Sequence, residues 1–222
     1  MKLTILYEDN HVIVVIKPVG VLSQQDHTQD ADMLTLIKQY IKVTYQKPGN
    51  VFLGLVHRLD RMVGGVMVFA KTSKAASRLS EQIRARIVEK KYYAVVHGKI
   101  DSHGKLVDYL YKNQNQNHVI VVAKNDLGAK YAELSYSLLS YKEHLSFVDV
   151  DLKTGRPHQI RVQLSHHGYP LYGDKRYGKP NESGNIALYA YSLAFFHPIT
   201  KEKLLFTHSP QQFPFDKFSQ YD

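Results

Sequence analysis

Apolar positions recur along this chain at two spacings, and the alternation between them divides it into strands and helices. Leu3 to Tyr7 and Val12 to Ile16 are short apolar runs separated by Glu8-Asp9-Asn10, and predict two strands. Lys17-Pro18-Val19-Gly20 ends the pattern as a turn. From Asp30 to Tyr45 the apolar residues Met33, Leu36, Ile37, Tyr40 and Ile41 fall at helical spacing, with Asp30 or Asp32 as the cap. Val51 to Val56 and Gly65 to Ala70 predict two more strands. Ser73 to Val88 predicts a second helix with a buried stripe of Ala76, Leu79, Ile83 and Ile87, and with Arg78, Arg84 and Arg86 on other faces. Beyond it strands dominate: Tyr92 to Lys99, Leu106 to Tyr111, Val119 to Ala123, Tyr131 to Ser140 and Leu145 to Leu152, with Asn113 to Asn117 as a polar hairpin tip. Pro157 suits the first turn of a third helix running to about His167. A glycine-punctuated loop, Tyr169 to Gly178, follows, and Ala187 to Phe196 and Leu204 to Thr207 close the sheet. Helices do not alternate regularly with strands, which excludes a doubly wound parallel sheet. The expected class is α+β: a mixed, mostly antiparallel sheet with a few helices. With no repeat and no linker, residues 1–222 are expected to form a single domain.

Two polar islands interrupt the apolar pattern. His57-Arg58-Leu59-Asp60 lies between two strand-like runs and gathers an acid, a guanidinium and an imidazole in one tight loop. Thr154-Gly155-Arg156-Pro157-His158-Gln159-Ile160-Arg161 lies some hundred residues later. A carboxylate beside an arginine stays ionised even when shielded from water, which suits direct action on a substrate. The amides at the start of the second island suit holding an anion. Residue type alone also permits plainer readings: Asp60 as a loop carboxylate capping a turn or pairing with a neighbouring arginine, Tyr92 as a core tyrosine, the second island as a well-capped helix with incidental arginines. His57 and Asp60 are too few for a metal site, and the adjacent His166 and His167 seldom point the same way, so no metal is expected.

Composition narrows the chemistry. Cysteine is absent, which removes disulfides, thiolate catalysis and cysteine-ligated metal, and accords with a cytoplasmic home. No apolar run is long enough to span a bilayer, and no secretory signal opens the chain. Lysine and arginine number 29 against 20 acidic residues, a net charge of +9 that favours a polyanionic partner. Sixteen tyrosines supply flat faces for bases as well as core.

Taken together, the islands and their spacing resemble the bacterial pseudouridine synthases of the RluA family. Tyr7-Glu8-Asp9 with Lys17-Pro18-Val19-Gly20 resembles the family's first block. His57-Arg58-Leu59-Asp60-Arg61, followed by Gly65 and Ala70-Lys71-Thr72, resembles the block of the catalytic aspartate. Arg86 to Gly98, with Lys90 and Tyr92, is similar to the block of the active-site tyrosine, and Thr154 to Arg161 to the third. Gly168, Pro170, Gly173-Asp174, Tyr177-Gly178 and His197-Pro198 continue the pattern in order. There are two departures. Val63-Gly64-Gly65 stands where the family usually has threonine-serine-glycine, and Gln163 stands where a histidine is common.

The resemblance implies a pseudouridine synthase fold with a catalytic cleft at the sheet centre, and conversion of uridine in structured RNA to pseudouridine. No electrons move and no group is donated, so neither redox cofactor nor metal is implied. Asp60 is then the essential carboxylate; attack on the sugar, attack on the base and removal of a ribose proton all need it ionised. Arg161 is its implied partner, and Tyr92 stacks on the extruded uracil. Arg58 fills the space the base leaves, its flat guanidinium stacking where a base was. His57, Arg61, Arg156, His158 and Gln159 become RNA contacts. The first block begins almost at the first residue, so a form without the family's small N-terminal RNA-binding module is expected. The expected substrate is a stem-loop of rRNA or tRNA, and the expected oligomeric state is a monomer. The rival reading from another class is a basic hydrolase using Asp60 and a histidine as acid and base.

Overall fold

The computed structural model describes residues 3–113 and 118–221. Among them, eleven strands and three α-helices follow one another as β1 (Thr4–Glu8), β2 (Val12–Lys17), α1 (Met33–Thr44), β3 (Gly54–Leu55), β4 (Gly64–Ala70), α2 (Ser73–Arg84), β5 (Glu89–His97), β6 (His103–Asn113), β7 (His118–Val122), β8 (Lys130–Lys142), β9 (Leu145–Leu152), α3 (Gln159–His166), β10 (Leu188–Phe196) and β11 (Lys203–Thr207). A 3₁₀ turn, Phe215–Tyr221, ends the described chain. The architecture is the expected one, mostly antiparallel sheet carrying a few helices. Of the expected hairpin tip, residues 114–117 lie outside the described residues.

The chain divides into two compact units, Met1–Glu89 with Ala190–His208, and Lys90–Tyr189 with Ser209–Asp222. In the first unit, β1 pairs with β2 and β2 with β4, both antiparallel, and β10 lies beyond β4 with β11 antiparallel at its side. All seven residues of β4 are buried, which is why this stretch reads as a continuous apolar run rather than an alternating one. Val12, Val14, Val66, Val68, Leu193 and Phe195 form its core with Ala75 and Leu79 of α2. Asp32 caps α1 by accepting from Thr35 N–H.

Two sequence expectations shift here for local reasons. The helix from Ser73 stops at Arg84, because Arg86 takes a left-handed φ of 58° and Ile87 N–H returns to Gln82 O, the closing bond of a Schellman motif. Ile87 therefore leaves the helix and is exposed; the buried face runs through Ala75, Leu79 and Gln82, whose amide bonds both the N–H and C=O of Phe196. The strand expected over Val51 to Val56 shrinks to β3. Gly54 and Leu55 pair with Ala70 and Phe69, but the next N–H of β4, that of Val68, donates to the His57 imidazole instead of to a strand.

The strands of the second unit pair antiparallel in the order β5-β9-β8-β6-β7. Val162 of α3 packs on Leu110, Val119 and Ala132. Six of the eight residues of α3 are buried, polar ones included. β5 begins three residues before Tyr92, so Tyr92 sits inside the strand opposite Val150 rather than at its opening.

Candidate functional site

In the first unit, the acidic loop runs from His57 to Val63 between β3 and β4 and has no ladder of its own. Its backbone is held from outside, by the segment that follows β2. Ser23 bonds Leu59 in both directions: its Oγ accepts from Leu59 N–H at 3.1 Å and donates to Leu59 O at 2.8 Å. On the other side of Asp60, Arg61 O accepts from Gly20 N–H at 2.9 Å and from Lys17 Nζ at 3.0 Å. Within the loop, Val63 N–H closes a turn onto Asp60 O. The peptide units flanking Asp60 are thus clamped, while its side chain is only half-buried.

Lys17 is the unexpected member. Its side chain is 0% exposed, and its ammonium spends its donors on the carbonyls of Pro18, Val21 and Arg61. Burial lowers its pKa to about 8; the Asp60 carboxylate works against that fall and Arg61 adds to it. Lys17 and Asp60 therefore form an electrostatically coupled pair of opposite charge. The signal in the sequence was a lysine directly closing a fully apolar strand.

The other residues of the loop divide by exposure. Arg58 is exposed. Arg61 is exposed too, but is engaged: its Nε donates to Gly20 O at 3.1 Å and its Nη1 lies 2.8 Å from Asp30. His57 is half-buried, with Nε2 accepting from Val68 N–H at 3.1 Å, so that nitrogen is unprotonated. Within Val63-Gly64-Gly65, the glycine that keeps to the family pattern has a packing reason. Gly65 has φ +130°, and a Cβ there would stand 2.2 Å from Ala190 O. Val63 is buried where a hydroxyl is usual, and Ser23 and Lys17 supply the backbone support.

In the second unit, the turn ahead of α3 is built on a chain of buried amides. Gln159 is 3% exposed. Its Oε1 accepts from Thr154 Oγ1 at 2.7 Å and Arg156 N–H at 3.0 Å, and its Nε2 donates to Glu133 O at 3.1 Å and Gln163 Oε1 at 2.9 Å. Gln163 in turn donates to Asp108 at 2.6 Å, so the second departure from the family pattern is a working link. The side-chain amide of Gln159, a residue expected among the RNA contacts, is engaged in internal bonds. The Arg156 amide is likewise taken by Gln159, not left for an anion. The helix starts at Gln159 rather than Pro157, because His158 adopts a left-handed φ of 51°. His158 Nδ1 lies 2.7 Å from the Tyr177 hydroxyl, which also accepts from Val119 N–H. Arg156 is half-buried, with Nε donating to Tyr131 O at 2.9 Å.

Arg161 is 7% exposed and is fixed by Asp174, through Nε to Oδ2 at 2.8 Å and Nη2 to Oδ1 at 2.9 Å. Its guanidinium also lies over the Tyr177 ring, 5.0 Å from the centroid. Asp174 is 0% exposed. Burial alone would raise its pKa, but the bonds and charge of Arg161, with the N–H groups of Tyr177 and Arg176, outweigh burial and hold it below the ordinary value. Asp174 and Tyr177 were visible in sequence only as family punctuation beside Gly173 and Gly178. The φ of +74° at Gly173, where a Cβ would stand 2.2 Å from Asn185 O, is what turns Asp174 inward. Tyr92 is 7% exposed, and Lys90, two residues before it, brings its Nζ against Gly155, 3.2 Å from where a Cβ there would sit. Burial lowers the Lys90 pKa.

A family model described as RNA pseudouridylate synthase matches residues 11–166, which takes in the Asp60 loop, Tyr92 and the whole of α3. The chain belongs to this family. Among its curated relatives, "Ribosomal large subunit pseudouridine synthase C" of Buchnera aphidicola (subsp. Schizaphis graminum) is 37% identical over 210 residues, covering 90% of this chain and 65% of that protein. "Ribosomal large subunit pseudouridine synthase D" of Pseudomonas aeruginosa is 38% identical over 179 residues, covering 80% of this chain and 54% of that protein. The chain thus spans between about half and two thirds of the length of these relatives. Its fold is that of the solved structure "Human RNA Pseudouridylate Synthase Domain Containing 4", with a TM-score of 0.79 at 24% identity, over 95% of this chain and 89% of that one. Among the described residues no helix is long and apolar enough to cross a membrane.

Proposed function

We propose that this chain is an RNA pseudouridine synthase, an isomerase acting on chosen uridines in structured RNA, with large-subunit ribosomal RNA the substrate class. The observation that carries the reading is the family match over residues 11–166, which spans Asp60 and the clamps on both sides of its peptide. The names of the relatives favour ribosomal RNA over tRNA.

In the reaction the bond from uracil N1 to ribose C1′ breaks and a bond from C5 to C1′ forms, while N1 gains a proton and C5 loses one. Asp60 is the carboxylate that drives it. A clamped backbone with a half-buried side chain suits that task, because Ser23 and Lys17 fix the peptide units on either side of Asp60. The Asp60 carboxylate in turn works against the fall in the Lys17 pKa that burial causes. Tyr92 supports the extruded uracil, and Arg161, already oriented by Asp174, is the cation of the reaction. A uridine in a helix or structured loop must leave its stack first, at a cost of a few kcal/mol; Arg58, exposed on the loop, takes the vacated space. His57, Arg61, Arg156 and His158 contact the RNA, and Gln159 holds their turn in shape. Lysine and arginine elsewhere supply salt-dependent attraction to phosphates.

The test is a pseudouridine map of ribosomal and transfer RNA from cells lacking the gene, complemented with the natural protein or with Asp60→Asn. Sites in large-subunit RNA are expected to vanish and to return only with Asp60. In vitro, Asp60→Asn is expected to lower turnover by about a thousandfold or more. Modification restored by the Asp60→Asn variant would overturn the role of Asp60, and loss confined to tRNA would overturn the substrate class.

A further inference from the structure

Away from the Asp60 loop, the second unit carries a groove of about 440 Å³ beside the β6–β7 hairpin. Tyr111, Lys112, Gly128, Lys130 and Arg156 line it over a floor that includes Val119. Its size falls in the range of small-ligand pockets, enough for a nucleotide or two. None of its described lining residues is acidic. Lys130 faces Leu110 across the β6–β8 pair, two residues from Lys112, and both lysines are exposed. Arg156 extends the same positive wall while its Nε is anchored to Tyr131 O. The aromatic member is held in a particular way. Gly128, at φ +80°, brings bare backbone against the Tyr111 ring, so close that a Cβ there would lie 3.2 Å from Cδ2 and Cε2. The ring is braced along that edge and is still 39% exposed.

From this we infer a second RNA-binding site, which takes a single-stranded segment flanking the modified uridine: a base stacks on Tyr111 and the adjoining phosphates sit on Lys112, Lys130 and Arg156. The inference rests on the reading above in taking the polyanion to be RNA. An aromatic face beside a row of cations is the chemistry of single-strand binding, because every base has a face to stack and every step a phosphate to neutralise. A purely anionic partner would use the cations and leave the tyrosine idle.

The test uses the full chain and fluorescein-labelled octacytidylate, which offers no uridine to isomerise, followed by fluorescence anisotropy across a salt series. Tyr111→Ala is expected to weaken binding between about 5- and 150-fold with the salt slope unchanged. Tyr111→Phe, which keeps the ring, is expected to bind as the natural protein does. Lys112→Ala with Lys130→Ala is expected to lower the slope of log affinity against log salt by about 1.4, from about 0.7 per phosphate contact on a single strand. Circular dichroism melts establish that each variant folds. Tyr111→Ala binding within twofold of the natural protein, an unchanged slope in the double variant, or polyglutamate competing as well as RNA would each overturn the inference. Pseudouridine formation on ribosomal RNA is measured in parallel with the natural protein. Absent modification with Tyr111-dependent binding retained would sink the isomerase reading and leave the groove standing; modification with groove variants indistinguishable in binding would do the reverse.

Discussion

The Asp60 loop and the turn before α3 are both polar islands in an apolar chain, yet they are held in opposite ways. At Asp60 the structure fastens the backbone, through Ser23 and Lys17, and leaves side chains half-buried or exposed. At the α3 turn it fastens the side chains, through the chain of Thr154, Gln159, Gln163 and Asp108 and the Arg161–Asp174 fork, and buries most of them. The first arrangement presents a group for use. The second fixes an arginine at full charge inside the protein, which demands that every polar partner be in place.

This contrast is sharpest at Arg161. Arg161→Met leaves the Asp174 carboxylate buried without its guanidinium, and is expected to cost about 3–5 kcal/mol in urea-induced unfolding. The pH dependence carries the sign. The folded pKa of Asp174 lies below its ordinary 3.8, so the pairing contributes fully above that value and is lost as pH falls through the lowered one. The acid limb of the stability curve should lose that contribution in Arg161→Met. An unchanged acid limb would mean that the pair does not act as described.

Lys17→Met tests the clamp at the other island. The folded pKa of Lys17 is about 8 against an ordinary 10.5, so from pH 8 to 10.5 the unfolded chain holds a proton that the folded chain has released. Stability of the natural protein therefore rises over that window, by up to about 3 kcal/mol, while the variant has no such term. The advantage of the natural protein over Lys17→Met should grow with pH between those limits. Release of Arg61 O should also misplace Asp60 and lower kcat by about a hundredfold with little change in KM. A change in KM alone would point to RNA binding rather than positioning.

The smallest effect is expected at Arg61→Ala. Its bridge to Asp30 is nearly half-exposed at both ends, and exposed pairs contribute less than about 1 kcal/mol. A larger loss of stability would show that the loop depends on its side chains after all, and would weaken the contrast between the two islands.

Most of the framework was legible because it rests on periodicity. The stripe of Met33, Ile37 and Ile41, the uniform burial of β4 and the alternation along β8 are local patterns that any window of the chain displays. Asp60 was legible for a different reason, as polar residues wedged between apolar runs at a spacing shared with a family. What escaped was the ending of α2, set by a left-handed arginine where glycine is usual, and the truncation of β3 by the His57 ring, an imidazole standing in for a strand. The internal bonds of Gln159 leave no trace either, because its amide looks the same in sequence whether it faces solvent or Thr154.

By itself, then, the sequence determined the order and type of nearly all the elements, the burial of the central strands and the loop on which the carboxylate stands, since each depends on neighbours a few residues apart. Only the tertiary structure decided that Lys17 lies buried with its ammonium on the Arg61 carbonyl, that Gly65 must lack a side chain beside Ala190, and that Asp174 holds Arg161. Those contacts join residues from 13 to more than 100 positions apart. A hydrogen bond or a close approach between such residues leaves no periodic trace in the chain and exists only once the elements have packed.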